Sequence, residues 1–177
     1  QGVREVIGRR LRRLSTECRD LLSLASVVGR EFGLGAMGRL SELPAKELLD
    51  ALDEAVEARL LASVPGSRDR LRFAHALIRE TLYEGLTTPR RVQLHRSIGE
   101  ALEAFYGQDA EPHLAELAHH FFEATPGGDA SKALEYAKRA GERAVRLLAY
   151  EEAARLYGLA LQALELTQPV NAVARCD

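Results

Sequence analysis

Three histidines near the middle of the chain, His113, His119 and His120, first invite a chemical reading, because imidazole both ligates metals and moves protons near neutral pH. His113 and His120 are seven residues apart. On a helix that puts them on one face but two turns distant, too far for one ion to reach both. No cysteine lies beside them, so packing or interhelical hydrogen bonding is the expected role, and no metal site is assigned. Ser15, Ser23 and Ser26 have no neighbouring histidine and no G-x-S-x-G elbow. Cys18 and Cys176 lack a local activating motif, and nothing points to a disulfide framework. Gly33-Leu34-Gly35 is a lone G-x-G outside the strand–turn–helix context of a dinucleotide site, and there is no G-x-x-x-x-G-K-[ST]. The acidic pairs Asp53-Glu54 and Glu151-Glu152 read as solvated helix surface. No catalytic residue is assigned, and the segment is not expected to be an enzyme.

The bulk properties agree with a folded helical module. The chain has 177 residues, 46% of them hydrophobic and 28% charged, with a formal net charge of −2. That is enough for one medium domain or two small ones with a real core. A near-neutral balance gives no field that would draw nucleic acid or a membrane surface. No apolar run reaches the length of a membrane span and no signal peptide opens the chain, so the expected location is the cytoplasm. The chain starts at Gln1 rather than Met, as a piece of a longer protein or a processed chain would.

The elements that must position any site are mostly helices. Arg4 to Leu14 carries apolar residues at helical spacing, with Arg9, Arg10, Arg12 and Arg13 on the other face. A helix capped by Ser15 runs to Gly29. Gly33, Gly35 and Gly38 leave room only for a short helix over 34–40. Pro44 sits like an N1 proline before an amphipathic helix over 45–59. Apolar 60–64, the turn Pro65-Gly66-Ser67 and alternating 70–74 form a β-hairpin, and a helix over 75–86 follows. Three helices leading into a hairpin is the winged-helix order.

The remainder is helical: Thr88 as cap and Pro89 at N1 of a helix to Tyr106, a helix over 112–124, and two long helices over 132–148 and 150–166. Asp129 is placed to cap the first of these two, and Pro169 ends the pattern. Gly141 precedes Ala153, Tyr157 and Ala160 at the spacing where the two helices of a tetratricopeptide (TPR) unit touch: a glycine allows close crossing and an aromatic fills the adjoining hole. Arg96, Gly99 and Glu100 echo Lys138, Gly141 and Glu142 at a longer interval than a standard repeat, so the region is TPR-like. An ordinary helical bundle is the competing reading.

DNA binding is the function a winged helix first raises. Its third helix would be 45–59, which carries Glu47, Asp50, Asp53, Glu54 and Glu57 against Lys46 and Arg59, and phosphates repel such a surface. Arg68, Arg70 and Arg72 of the hairpin read more easily as contacts to another domain of the same polypeptide.

Phe73-Ala74-His75-Ala76-Leu77-Ile78-Arg79-Glu80, with Val28-Gly29-Arg30-Glu31-Phe32 and Arg90-Arg91-Val92-Gln93-Leu94-His95, resembles one family over nearly the whole chain. That family is the large ATP-dependent bacterial regulators of the STAND class of P-loop NTPases, which includes LuxR-type regulators and cyclase-associated ATPases. The resemblance implies a mainly α fold. It divides the chain into a lead-in helix from an upstream lid (1–14), a winged-helix-like domain with a small β-hairpin (15–87) and TPR-like helical hairpins (88–177). In related switch ATPases the winged helix ends in a Met-His-Asp motif whose histidine contacts the β-phosphate of ADP. His75 matches that histidine by position, although Ala74 and Ala76 replace its neighbours. The competing role for His75 is capping or packing at a strand–helix junction. The implied partners are an upstream ATPase domain of the same chain, which would hold ATP or ADP, and a protein or small-molecule effector on the repeats. Regulators of this kind often assemble when activated. The alternative function is a free-standing helical scaffold, with a DNA-binding winged helix behind it.

Overall fold

The computed structural model describes residues 2–128 and 130–167. Asp129, Pro169, Cys176 and Gln1, each used above, lie outside the described residues. The fold is mainly helical, with one small three-stranded antiparallel sheet. It divides into two compact units, Gln1–Arg91 and Val92–Asp177.

In the first unit, α1 (Val3–Leu11) packs against α5 (Ala76–Gly85), and Arg4 bridges to Glu84 at 2.7 Å. Then come α2 (Thr16–Val28), β1 (Glu31–Gly33), α3 (Leu34–Leu40), α4 (Ala45–Glu57), β2 (Leu61–Ser63) and β3 (Arg70–Phe73). The hairpin β2–β3 forms as the turn chemistry predicts, but a third strand, β1, adds to β3 and sets the order β1-β3-β2. Glu31-Phe32-Gly33 is too short to display an alternation of its own, so its strand character comes from the partner and not from propensity. Phe32 pairs with Leu71, and Leu61 with Phe73, so these four apolar side chains share the buried face; Glu31, Ala62, Arg70 and Arg72 share the other. The Phe32 and Phe73 rings meet edge to face, 6.1 Å apart. Leu22, Ala25, Met37, Leu52, Ala55 and Leu60 complete this core.

Two helix starts differ from the sequence reading. Pro44 is the extended residue just before α4 rather than its first helical residue, and Thr88 lies inside α6 (Thr88–Tyr106) rather than capping it. The helix expected from Pro112 forms as α7 (Leu114–Glu123), two residues later than read, after two 3-10 turns at Gly107–Asp109 and Glu111–His113. The first helix stops at Leu11, three residues early.

The second unit contains most of α6, then α7, α8 (Ser131–Arg146) and α9 (Tyr150–Thr167). Its core interleaves small and large residues. A Cβ placed on Gly141 of α8 would stand 2.9 Å from the Tyr157 ring of α9, and one on Gly99 of α6 would stand 3.2 Å from the Phe121 ring of α7. The glycine–aromatic pair read from the sequence is therefore a real crossing, and a second one, Gly99 on Phe121, occurs at a longer interval. Ala133, Ala137, Ala140 and Ala144 of α8 and Ala153, Ala160 and Ala163 of α9 are buried beside these crossings, which keeps the backbones close.

Candidate functional site

His75 stands where the sheet hands over to α5. Its backbone is extended (φ −141°, ψ 142°), because the Ala74 N–H is still donated to the Leu60 carbonyl as the chain leaves β3. One residue later the helix begins, and the His75 carbonyl accepts from the Ile78 N–H at 3.0 Å. The imidazole does not cap the helix and is exposed. The first turn of α5 carries no carboxylate of its own to offset the positive end of its dipole. The junction is held from both sides. Phe73 is buried in the sheet, Ile78 is buried under α5, and Arg79 Nε donates to the Ser26 carbonyl of α2 at 2.9 Å. Arg79 and Arg91 lie on the Tyr83 ring at 5.6 and 5.4 Å. The Phe73-to-Glu80 segment is thus a rigid strand–helix corner that presents one exposed imidazole.

A second cluster lies at the start of α2. Ser15 caps that helix as expected, its hydroxyl accepting from the Cys18 N–H at 3.1 Å. The same hydroxyl donates to Glu54 of α4 at 2.5 Å, and the Ser15 N–H donates to the other carboxylate oxygen at 2.8 Å. Glu54 is therefore a surface carboxylate that also ties α2 to α4, a partner its position in the sequence did not show. The Ser15 hydroxyl first, and its N–H second, hold the Glu54 carboxyl below the usual range. Burial, and secondarily the Glu54 charge, pushes the Cys18 thiol up to about 12, so it stays protonated and inert. Ser15, Glu17, Glu47, Asp50, Ala51 and Glu54 line an open cleft of about 380 Å³. Lys46, Glu47, Asp50, Asp53 and Glu57 are all exposed on α4.

The histidines separate. His113 stacks on Tyr106 (3.7 Å, interplanar 4°), and its Nδ1 lies 3.5 Å from Glu116. His120 turns inward, as an interhelical bond requires: its Nδ1 lies 3.0 Å from Nδ1 of His95 on α6. His119 is exposed, with its ring 5.4 Å from that of His95 and 5.3 Å from that of His120. One imidazole must donate Nδ1–H to the other, so the bond requires two complementary neutral tautomers. Burial first, then the neighbouring His95 and His119, pushes the His120 pKa down to about 3. Among the described residues no group of three or more His, Cys, Asp or Glu is placed to hold a metal ion.

Sequence reasoning saw neither His95 as a partner nor the contact of Arg96, which entered only through the repeat echo. The signal for His95 was its phase: with Ile98 and Leu102 it falls on the apolar side of α6. Arg96 donates to the Gly127 carbonyl at 2.6 Å, and a side chain on Gly128 would meet its guanidinium at 2.7 Å, so this arginine fastens the glycine turn after α7.

Among the described residues no helix is long and apolar enough to cross a membrane. No family model, curated protein or solved structure matches this chain.

Proposed function

We propose that this chain is a regulatory and interaction segment of a signalling ATPase of the STAND class, a transcriptional regulator by output. In this reading the first unit is winged-helix-like and relays nucleotide state. The second is TPR-like and receives an effector or a protein partner. The observation that carries the reading is the corner at His75: an exposed imidazole at the start of a helix whose first turn holds no acidic residue, on a backbone fixed by Phe73, Ile78 and Arg79. A helix start of this kind accommodates a phosphate oxygen, and an imidazole beside it adds a donor. The segment contributes no catalytic group and no nucleotide cradle of its own; ADP or ATP would be held by a P-loop domain elsewhere in the polypeptide, and His75 would touch its phosphate from outside. The glycine–aromatic crossings of the second unit fit stacked helical hairpins, which offer a concave surface for binding. The acidic exposed face of α4 argues against direct DNA contact by this segment.

The test is the rate at which the complete gene product releases ADP. Because His75 is exposed and its side chain makes no hydrogen bond among the described residues, His75→Ala leaves the fold intact. Loss of one charge-assisted phosphate contact accelerates ADP release about tenfold and raises basal activity. Equal release rates for the parent and the variant would leave His75 as a surface residue of the corner and would favour a helical scaffold with no nucleotide link.

A further inference from the structure

α9 carries two apolar faces, and among the described residues only one is covered within its own unit. Ala153, Leu156, Ala160 and Ala163 are buried, and α9 packs on α8. About a quarter-turn away, Tyr150, Ala154, Tyr157, Leu161 and Leu164 recur at alternating steps of four and three residues. That is the heptad spacing of a narrow helix–helix seam, not the wider stripe of a helix facing a globular core. Tyr150 is 63% exposed and Leu161 63%. Ala154 is exposed, and a Cβ added at Gly158, on the flank of the seam, would meet nothing within 4 Å. The seam runs directly on from the α8–α9 interface, because Tyr157 rests on Gly141 and is also one of the seam residues.

The sizes along the seam are self-complementary. In an antiparallel pair of heptad seams the two core positions of one helix face the opposite core positions of the other. With the dyad near Leu156, small Ala154 comes opposite Tyr157 of the partner subunit, and Tyr150 opposite the partner's Leu161; the two-fold axis repeats both layers. No large side chain is placed against another at the centre, and Gly158 leaves the flank open for close approach. We propose that α9 pairs antiparallel with α9 of a second copy of this chain through this seam. The apolar surface is on the order of 500 Å² per copy, near the lower limit for a specific interface, so the dimer is weak and depends on concentration. This inference makes no use of the nucleotide reading and stands or falls separately from it.

Sedimentation equilibrium over about 10–500 µM, the range expected for an interface of this size, tests it. The wild-type chain shifts from monomer to dimer across that range. Tyr150→Glu and Leu161→Lys each bury a charge in two symmetry-related layers and weaken dimerisation at least tenfold, while both sites are exposed in the monomer, so circular dichroism and melting stay unchanged. Mixing the two variants restores association, because Glu at one position then faces Lys at the other across a single layer while the second layer remains Tyr–Leu. A wild-type chain that stays monomeric throughout overturns the proposal and gives the seam to another helix. A dimer that neither substitution weakens overturns it as well, by placing the contact elsewhere. Single variants that dissociate but fail to recover on mixing overturn the antiparallel register.

Discussion

Replacing Phe73 by alanine is expected to cost the first unit about 3–5 kcal/mol, the range for deleting a fully buried phenyl ring. Phe73 is 2% exposed, shares the buried face of the sheet with Phe32, Leu61 and Leu71, and stands two residues before His75. Its removal opens a cavity between β3 and the helices and frees the corner that orients α5. Because the chain contains two units, a single melting midpoint does not isolate the effect. Hydrogen exchange does: protection of the β1 and β3 amides falls steeply, whereas amides of α8 and α9 keep theirs. Phe73→Leu, which restores most of the volume, recovers most of the protection. Unchanged exchange in β1 and β3 of Phe73→Ala would mean that the sheet does not depend on the ring, and the account of a fixed His75 corner would fail.

The second large effect is on acidification. His120 is buried with a pKa pushed down to about 3, whereas an unfolded histidine titrates near 6.5. A histidine depressed in this way favours folding fully above about pH 6.5, and that contribution is lost as pH falls from 6.5 toward 3, because only the unfolded chain takes up the proton. Between pH 7 and 5 the loss is about 2 kcal/mol, roughly a thirtyfold fall in the folded-to-unfolded ratio of the second unit. The groups facing His120 are the imidazoles of His95 and His119, and a charge on either adds to the penalty. Glu54, Glu103 and Glu152 are held below the ordinary carboxylate range, so what they contribute persists until the pH drops under about 4.3 and does not enter this window. Exchange protection of α7, corrected for intrinsic rate, reads the loss directly. His120→Gln keeps a hydrogen-bonding partner for His95 and removes one of the two buried imidazoles, so its protection falls much less between pH 7 and 5 than that of the parent. A variant with the same slope as the parent would remove the buried pair as the cause.

The helices were legible because their signals are local. Helical spacing of apolar residues, the Ser15 cap and the glycine–aromatic interval of Gly141 and Tyr157 are all written within one or two helices. What escaped was non-local. β1 is three residues whose pairing partner lies about forty positions later, and Glu54 looks like any carboxylate on an amphipathic helix until Ser15 is brought to it. His120 was read as an interhelical histidine without its partner, because periodicity gives the face of a helix and not what stands opposite. His75 was found by resemblance. The structure contributes the geometry of its corner, an exposed ring on an extended residue just ahead of α5.

The most direct test of the regulatory reading is the nucleotide content of the complete gene product as purified. The protein is denatured, the supernatant separated, and ADP and ATP quantified against chain concentration. The account predicts about one ADP per chain, with less retained by His75→Ala, as expected where a helix N-terminus and an imidazole help to hold a phosphate. A preparation that contains no nucleotide, and takes up none on titration, would contradict the switch-ATPase reading and leave a helical scaffold in its place.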